Sequence, residues 1–221
     1  MNYILHIDTA TDAGIVAIAS DGDLVAQKGN TEARNHATAI NVMIDDALAH
    51  AGITLQEISA VAICGGPGSY TGLRIGMATA KGLCYAMDKP LIMTDRLTML
   101  AYQQWVKHEG RYDEYVVLIT AREKEYFIAA YNGQFEQSIE PKHILQSELI
   151  NPVISSKGLL TTDTDINTII SINISDLEVD NNFNIDYKIW CMYAYQQFRK
   201  ENFIDLAHSE PIYLKQVYTH K

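Results

Sequence analysis

Short apolar runs separated by polar turns dominate the first part of the chain. Residues 3–7 and 15–19 are apolar, and residues 24–26 follow Asp21 and Gly22, a pair that closes two-residue hairpins. Residues 58–64 are almost continuously apolar, as a strand buried on both faces requires. Helical spacing appears over residues 35–51, where Ala37, Ile40, Ile44, Leu48 and Ala51 share one face. A second helix follows residue 69, residues 91–93 read as a short strand, and residues 96–107 read as a helix. Further on, residues 115–120, 125–131 and 134–138 read as strands, the last two around the turn at Asn132 and Gly133. Residues 151–187 are rich in Asn, Asp, Thr and Ile, and their weak periodicity assigns no element. Residues 187–200 read as a helix whose Trp190, Tyr193, Tyr195 and Phe198 fit a core. No internal repeat stands out.

The connection after residues 58–64 carries Gly65, Gly66, Pro67, Gly68, Ser69, Tyr70, Thr71 and Gly72. A strand feeding glycines and then a helix exposes backbone N–H groups in a tight turn. That geometry suits an anion, another chain that must approach the backbone closely, or simply a sharp connection. The loop is not a Walker A sequence, since no Gly-Lys-Ser/Thr follows, and it does not match Gly-x-Gly-x-x-Gly. Ser69 and Thr71 are suited to capping the helix. Asp8, at the end of the first strand, fits a hydrogen bond to its own turn or a remnant magnesium carboxylate.

Composition narrows the partners. The 221 residues are 48% hydrophobic, enough for a sizeable core. The formal net charge is −10, both halves contribute to it, and no Lys/Arg cluster appears. Unaided nucleic-acid binding is therefore disfavoured. Cys64, Cys84 and Cys191 lie far apart in apolar runs, as reduced buried thiols do. With no basic leader and no long apolar run, the expected location is the cytoplasm, away from any membrane.

Several segments together resemble one family. They are Asp8-Thr9-Ala10-Thr11, His36 opening a helix, Gly66 through Gly76, Ala121-Arg122 with Glu125-Tyr126, and Pro211 through Lys215. This set is similar to the TsaB (YeaZ) family of bacterial tRNA threonylcarbamoyladenosine synthesis, paralogous to TsaD. The likeness is dense to about residue 131 and thin from there to about residue 207. Three positions depart from the family pattern: Thr120 stands where Asp is usual, Tyr70 where Phe is commoner, and Lys215 where Arg is commoner. The resemblance implies an α/β, two-lobed actin/Hsp70/sugar-kinase-like (ASKHA, ribonuclease-H-like) fold with a degenerate second lobe. Residues 1–108 would form the first lobe and 109–221 the second, with the C-terminal segment able to pack back on the first.

Catalytic machinery is not expected. Only Gly158 lies beyond Gly133, so the second lobe lacks Gly-rich phosphate and adenosine loops. Asp8, Thr9 and Thr11 would be a vestigial phosphate-loop turn beside the loop of Gly66, Pro67, Gly68, Ser69, Tyr70, Thr71 and Gly72. Ile40 stands four residues after His36, so the His-x-x-x-His pair of TsaD is missing and no metal site is expected.

Projected as a helix, Leu73, Gly76, Met77, Ala80, Cys84 and Met87 share one face, and Ile75, Ala78, Gly82 and Ala86 the opposite one. Two apolar faces call for two coverings. The resemblance implies that TsaD supplies one of them, and His36, Met43, Arg74, Met77, Ala80, Lys81 and Cys84 are the expected contact residues. The implied role is a non-catalytic supporting subunit for threonylcarbamoyl transfer to the adenosine 3′ of the anticodon. ATP would enter through TsaE and metal through TsaD, with no cofactor bound by this chain alone and tRNA met only in the complex. Because the contact face resembles that of TsaD, the resemblance also allows a homodimer of the free chain, without fixing its oligomeric state. An autonomous ASKHA-type ATPase or kinase, a metallopeptidase-like enzyme, or a binding module for another partner remain alternatives.

Overall fold

The computed structural model describes residues 1–30, 36–149, 157–165 and 177–215. It divides into two compact units: Met1–Arg96 with Asp186–Ile212, and Leu97–Ile185 with Tyr213–Lys221.

In unit 1, β1 (Tyr3–Asp8), β2 (Gly14–Ser20) and β3 (Asp23–Asn30) form an antiparallel meander. Its hairpin turns at Asp21 (φ 49°) and Gly22 (φ 95°), the left-handed pair that Asp-Gly supplies. On the other side of β1, β4 (Ile58–Cys64) and β5 (Leu91–Thr94) join in parallel, giving the order β3-β2-β1-β4-β5. Alternation along β1 divides the core. Leu5 and Ile7 pack with Ile40, Ile44 and Ala47 of α1 (His36–Ala51) and with Met77 and Ala80 of α2 (Tyr70–Met87). His6, one step out of phase, sets its ring edge-on against Trp190 of α4 (Tyr187–Arg199), with centroids 4.9 Å apart. Burial pushes the His6 imidazole down to about 4, only partly offset by hydrogen bonds to the Ile4 and Ala17 carbonyls.

In unit 2, β6 (Glu114–Arg122), β7 (Glu125–Asn132) and β8 (Gln137–Leu145) form a second antiparallel meander. β9 (Gly158–Thr162) and β10 (Leu177–Asp180) join β6 in parallel, giving the order β10-β9-β6-β7-β8. Counted from its own first strand, each sheet has the order 3-2-1-4-5 with the same strand directions. This duplicated ribonuclease-H-like sheet defines the actin/Hsp70/sugar-kinase architecture. Leu97, Leu100 and Ala101 of α3 (Arg96–Lys107) pack on Val117, Ile119 and Ala129.

Two expectations need correction. The unit boundary falls at Arg96/Leu97 rather than at 108, because α3 buries its aliphatic face on β6 and β7. Residues 186–212 belong to unit 1, where Trp190, Cys191 and Ala194 are buried. The strand expected over residues 134–138 instead begins at Gln137. The Asn132 carboxamide oxygen accepts the Gln134 and Glu136 N–H groups at 3.0 and 2.9 Å and holds a wider turn. Of the stretch left unassigned, residues 158–162 and 177–180 are strands, while 151–156 and 166–176 lie outside the described residues. All three cysteines are buried and free.

Candidate functional site

β1 ends at the carboxyl edge of the unit 1 sheet, and its last residue, Asp8, is buried. Asp8 Oδ1 accepts the Ala10 N–H at 2.9 Å, which closes the turn, and Oδ2 accepts the Tyr187 hydroxyl at 3.0 Å. Burial first, and then the neighbouring Asp8 carboxylate, push the Tyr187 phenol far above its ordinary range. Tyr187 opens α4, whose N-cap Asp186 accepts the Lys188 N–H.

The Gly-rich loop closes on the same turn. Gly65 N–H donates to Thr94 O at 2.9 Å, Arg96 N–H to Gly66 O at 2.6 Å, and Ile212 N–H to Gly65 O at 2.8 Å. Gly66 sits at φ 107°, and the Gly66–Pro67 peptide is cis. The Ser69 N–H donates to Ala10 O at 2.7 Å, Thr9 Oγ1 donates to Gly72 O at 2.7 Å, and the Gly72 N–H donates to Ser69 Oγ at 3.2 Å as the helix cap. A Cβ at Gly68 would lie 2.2 Å from Ala10 O, and one at Gly72 2.0 Å from Thr9 O. The glycines therefore admit a second stretch of backbone, and that backbone is this chain's own turn at Thr9 and Ala10. Thr11 bonds locally, to Ala13 O at 3.1 Å, and Thr71 is exposed with Ser69 alone capping α2. Arg74 lies over the Tyr70 ring, 4.4 Å from its centroid.

Four of the seven expected partner residues face inward, while Arg74 is exposed. Met43, Met77, Ala80 and Cys84 are buried in the core of unit 1, with Ala80 at 0% exposure. Lys81 spends its ammonium on the Ala207 and Ser209 carbonyls at 3.3 and 3.1 Å. His36 opens α1, and its side chain lies outside the described residues. The outward face of α2 holds Ala78, Gly82, Tyr85 and Ala86, with Tyr85 84% exposed, and α1 adds Val42 at 59%. The sheet covers the Met77 stripe because those residues are the ones that face β1 and β4.

Two features of the site escaped sequence reasoning. One is Tyr187 on Asp8, a partnership across 179 residues with no local signal. The other is a charge cluster in unit 2. Glu125 meets Arg122 at 2.6 Å, His143 at 2.7 Å, and Lys215. The Lys215 ammonium, with Arg122 and His143, holds the Glu125 carboxyl down at about 2. Arg122, Glu125 and Lys215 all belong to segments that carry the family resemblance, which was the available clue.

A cavity of about 420 Å³ opens at the carboxyl ends of β9 and β10, lined by Thr162, Asp163, Thr164, Asp165, Asn181 and Phe183 among others. Asp163 Oδ1 accepts the Thr120 N–H at 2.8 Å and its hydroxyl at 3.0 Å. A carboxylate at position 120 would oppose Asp163, so the hydroxyl there matches its neighbour. Two carboxylates in this lining oppose a phosphate. Among the described residues no group of three or more His, Cys, Asp or Glu is placed to hold a metal ion, and no helix is long and apolar enough to cross a membrane.

Fold and site define an ASKHA-type protein with duplicated sheets, whose turn after β1 is closed by the Gly-rich loop and by Tyr187. Residues 25–157 match the family model for TsaD, tRNA N6-adenosine threonylcarbamoyltransferase. The chain is 31% identical to the tRNA threonylcarbamoyladenosine biosynthesis protein TsaB of Escherichia coli, over 96% of this chain and 94% of that protein. It is 31% identical to a Clostridium perfringens tRNA N6-adenosine threonylcarbamoyltransferase over 57% of this chain and 38% of that enzyme. It shares the fold of YeaZ from Pseudomonas aeruginosa, with a TM-score of 0.78 at 20% identity, covering 97% of this chain and 100% of that one. The chain belongs to the TsaB (YeaZ) family of tRNA threonylcarbamoyladenosine biosynthesis proteins.

Proposed function

We propose that this chain is the non-catalytic supporting subunit of a threonylcarbamoyl transferase complex, pairing with a TsaD-type subunit that carries the chemistry. The observation that carries this reading is the closed phosphate turn. Asp8 accepts from Ala10 and Tyr187, and Gly68 and Gly72 lie against Ala10 and Thr9, so the nucleotide-facing groups of the fold are engaged within the chain. An autonomous ATPase or kinase needs those groups open. The outward face of α2 supports the pairing. Ala78, Gly82 and Ala86 are small enough for a partner helix to approach closely, and Tyr85 offers an aromatic anchor at their side. The partner binds metal and a TsaE-type ATPase uses ATP, while this chain holds neither. With a net charge of −10, it meets tRNA only through the complex.

Reconstitution tests the reading. This chain is combined with its cognate TsaD and TsaE, threonylcarbamoyl-adenylate and unmodified tRNA, and components are omitted one at a time. Modification lost when this chain is left out, with no turnover by the chain alone, supports the proposal. Modification that proceeds equally without it overturns the proposal.

A further inference from the structure

The cavity at the carboxyl ends of β9 and β10 lies wholly within unit 2, and the proposed function does not use it. Strands β6, β9 and β10 run parallel to one another. In open α/β sheets the crevice outside the carboxyl ends of such strands is the usual place for a ligand. At about 420 Å³ the cavity falls within the range of about 300–1,000 Å³ that encloses a whole small molecule.

Its two sides differ in kind. Val179 of β10, left 36% exposed, and Phe183 make an apolar side. Asp163, Asp165 and the Asn181 carboxamide make a polar one, and no Lys, Arg or His is among the lining residues. Asp163 is fixed from behind. Its Oδ1 accepts the Thr120 N–H at 2.8 Å and the hydroxyls of Thr120 and Thr164 at 3.0 and 3.1 Å. The Thr164 N–H donates in turn, at 3.1 Å, to Oγ1 of Thr162, which is wholly buried at the end of β9. Three donors on Oδ1 leave Oδ2 as the acceptor for a ligand, and among the described residues nothing donates to it. A carboxylate held in place before the ligand arrives loses little freedom on binding.

We propose that this cavity binds a small organic cation, an ammonium group carried on an apolar body. The ammonium pairs with the Asp163 and Asp165 carboxylates and donates to the Asn181 carboxamide oxygen. The apolar body lies against Val179 and Phe183, whose ring face also attracts the positive charge. The same two carboxylates repel a phosphate-bearing ligand.

Amide and methyl NMR spectra of the full-length protein test the site, with benzylamine as the probe and benzyl alcohol as its uncharged counterpart of the same shape. Benzylamine is expected to give saturable shifts at Thr164, Asn181 and the Val179 methyls, and to bind roughly tenfold more tightly than benzyl alcohol. Asp163→Asn keeps an oxygen for the Thr120 N–H while removing the charge. It and Asp165→Asn are each expected to weaken benzylamine about threefold. Asp113→Asn, just before β6 at the opposite end of the sheet, is expected to leave binding unchanged. Benzyl alcohol binding as tightly as benzylamine overturns the proposal, because the cavity would then read shape and not charge. Absence of saturable shifts at the lining residues overturns it too, as does an equal loss in Asp113→Asn. The comparison of the two probes uses the unsubstituted protein, so a variant that fails to fold does not obscure the outcome. No partner subunit is present, so the result is also independent of the reconstitution.

Discussion

The Tyr187 hydroxyl donates to Asp8 Oδ2 at 3.0 Å, and this bond joins the first turn of α4 to the last residue of β1. The buried carboxylate is thereby satisfied from within the chain. Tyr187→Phe would keep the ring and remove the donor, leaving a buried carboxylate oxygen without its partner. The expected loss is about 1–3 kcal/mol of unfolding free energy, read from urea midpoints at constant m. A loss below about 0.5 kcal/mol would mean that the oxygen finds another donor.

Two glycines of α2 are expected to respond in opposite ways to the same substitution. Gly72→Ala would place a Cβ 2.0 Å from Thr9 O, so the helix start must move away from the turn at a cost of about 2 kcal/mol or more. Gly82→Ala meets nothing within 4 Å and gains about 0.5–1 kcal/mol from helix propensity. Thermal melts of the two variants, run side by side, check the signs.

The two faces of α2 separate folding from partnership. Ala80 is wholly buried against the sheet, so Ala80→Arg is expected to cost more than about 4 kcal/mol and yield little folded protein. Ala78 is exposed, so Ala78→Arg is expected to stay within about 0.5 kcal/mol of the parent. The same Ala78→Arg variant should no longer co-purify with the TsaD-type subunit. A folded Ala78→Arg protein that still co-purifies would place the partner elsewhere.

Acid should weaken the protein in two separate windows. His6 falls from its ordinary 6.5 to about 4 in the folded chain, so between those values the unfolded state binds the extra proton. Stability is therefore full above 6.5 and falls by on the order of 3 kcal/mol as pH drops toward 4. Glu125 is held at about 2 against an ordinary 4.5, so its contribution is present above 4.5 and is lost as pH falls toward 2. Denaturation midpoints between pH 7 and 2 should show both slopes. His6→Gln should flatten the upper one and Glu125→Gln the lower.

Much of the architecture was legible in local pattern. The helices 36–51 and 96–107 and the strand 58–64 were readable because their apolar spacing and flanking turn residues agree with one another. The glycines of the loop read as room for an anion or for another chain, whereas the backbone that fills it is this chain's own turn at Thr9 and Ala10. The two-lobed fold followed from the family resemblance, but the last two strands of the second sheet were not legible in local pattern. β9 and β10 are five and four residues long, too short for periodicity to declare them in polar surroundings. The wider turn at Asn132 depends on a side-chain oxygen that accepts two N–H groups, which an Asn-Gly pair alone does not distinguish from a two-residue hairpin.

By itself, the sequence determined which residues of α2 are apolar, which turns need glycine, and which family the motifs resemble. Tertiary structure alone decided which α2 face meets the sheet and which is left exposed. A helical projection gives two apolar faces but no neighbour for either. It also decided that Tyr187 completes Asp8 and that Lys215 completes Glu125, pairs separated by 179 and 90 residues. Such pairings depend on where distant segments arrive after folding, and no local propensity encodes an arrival point.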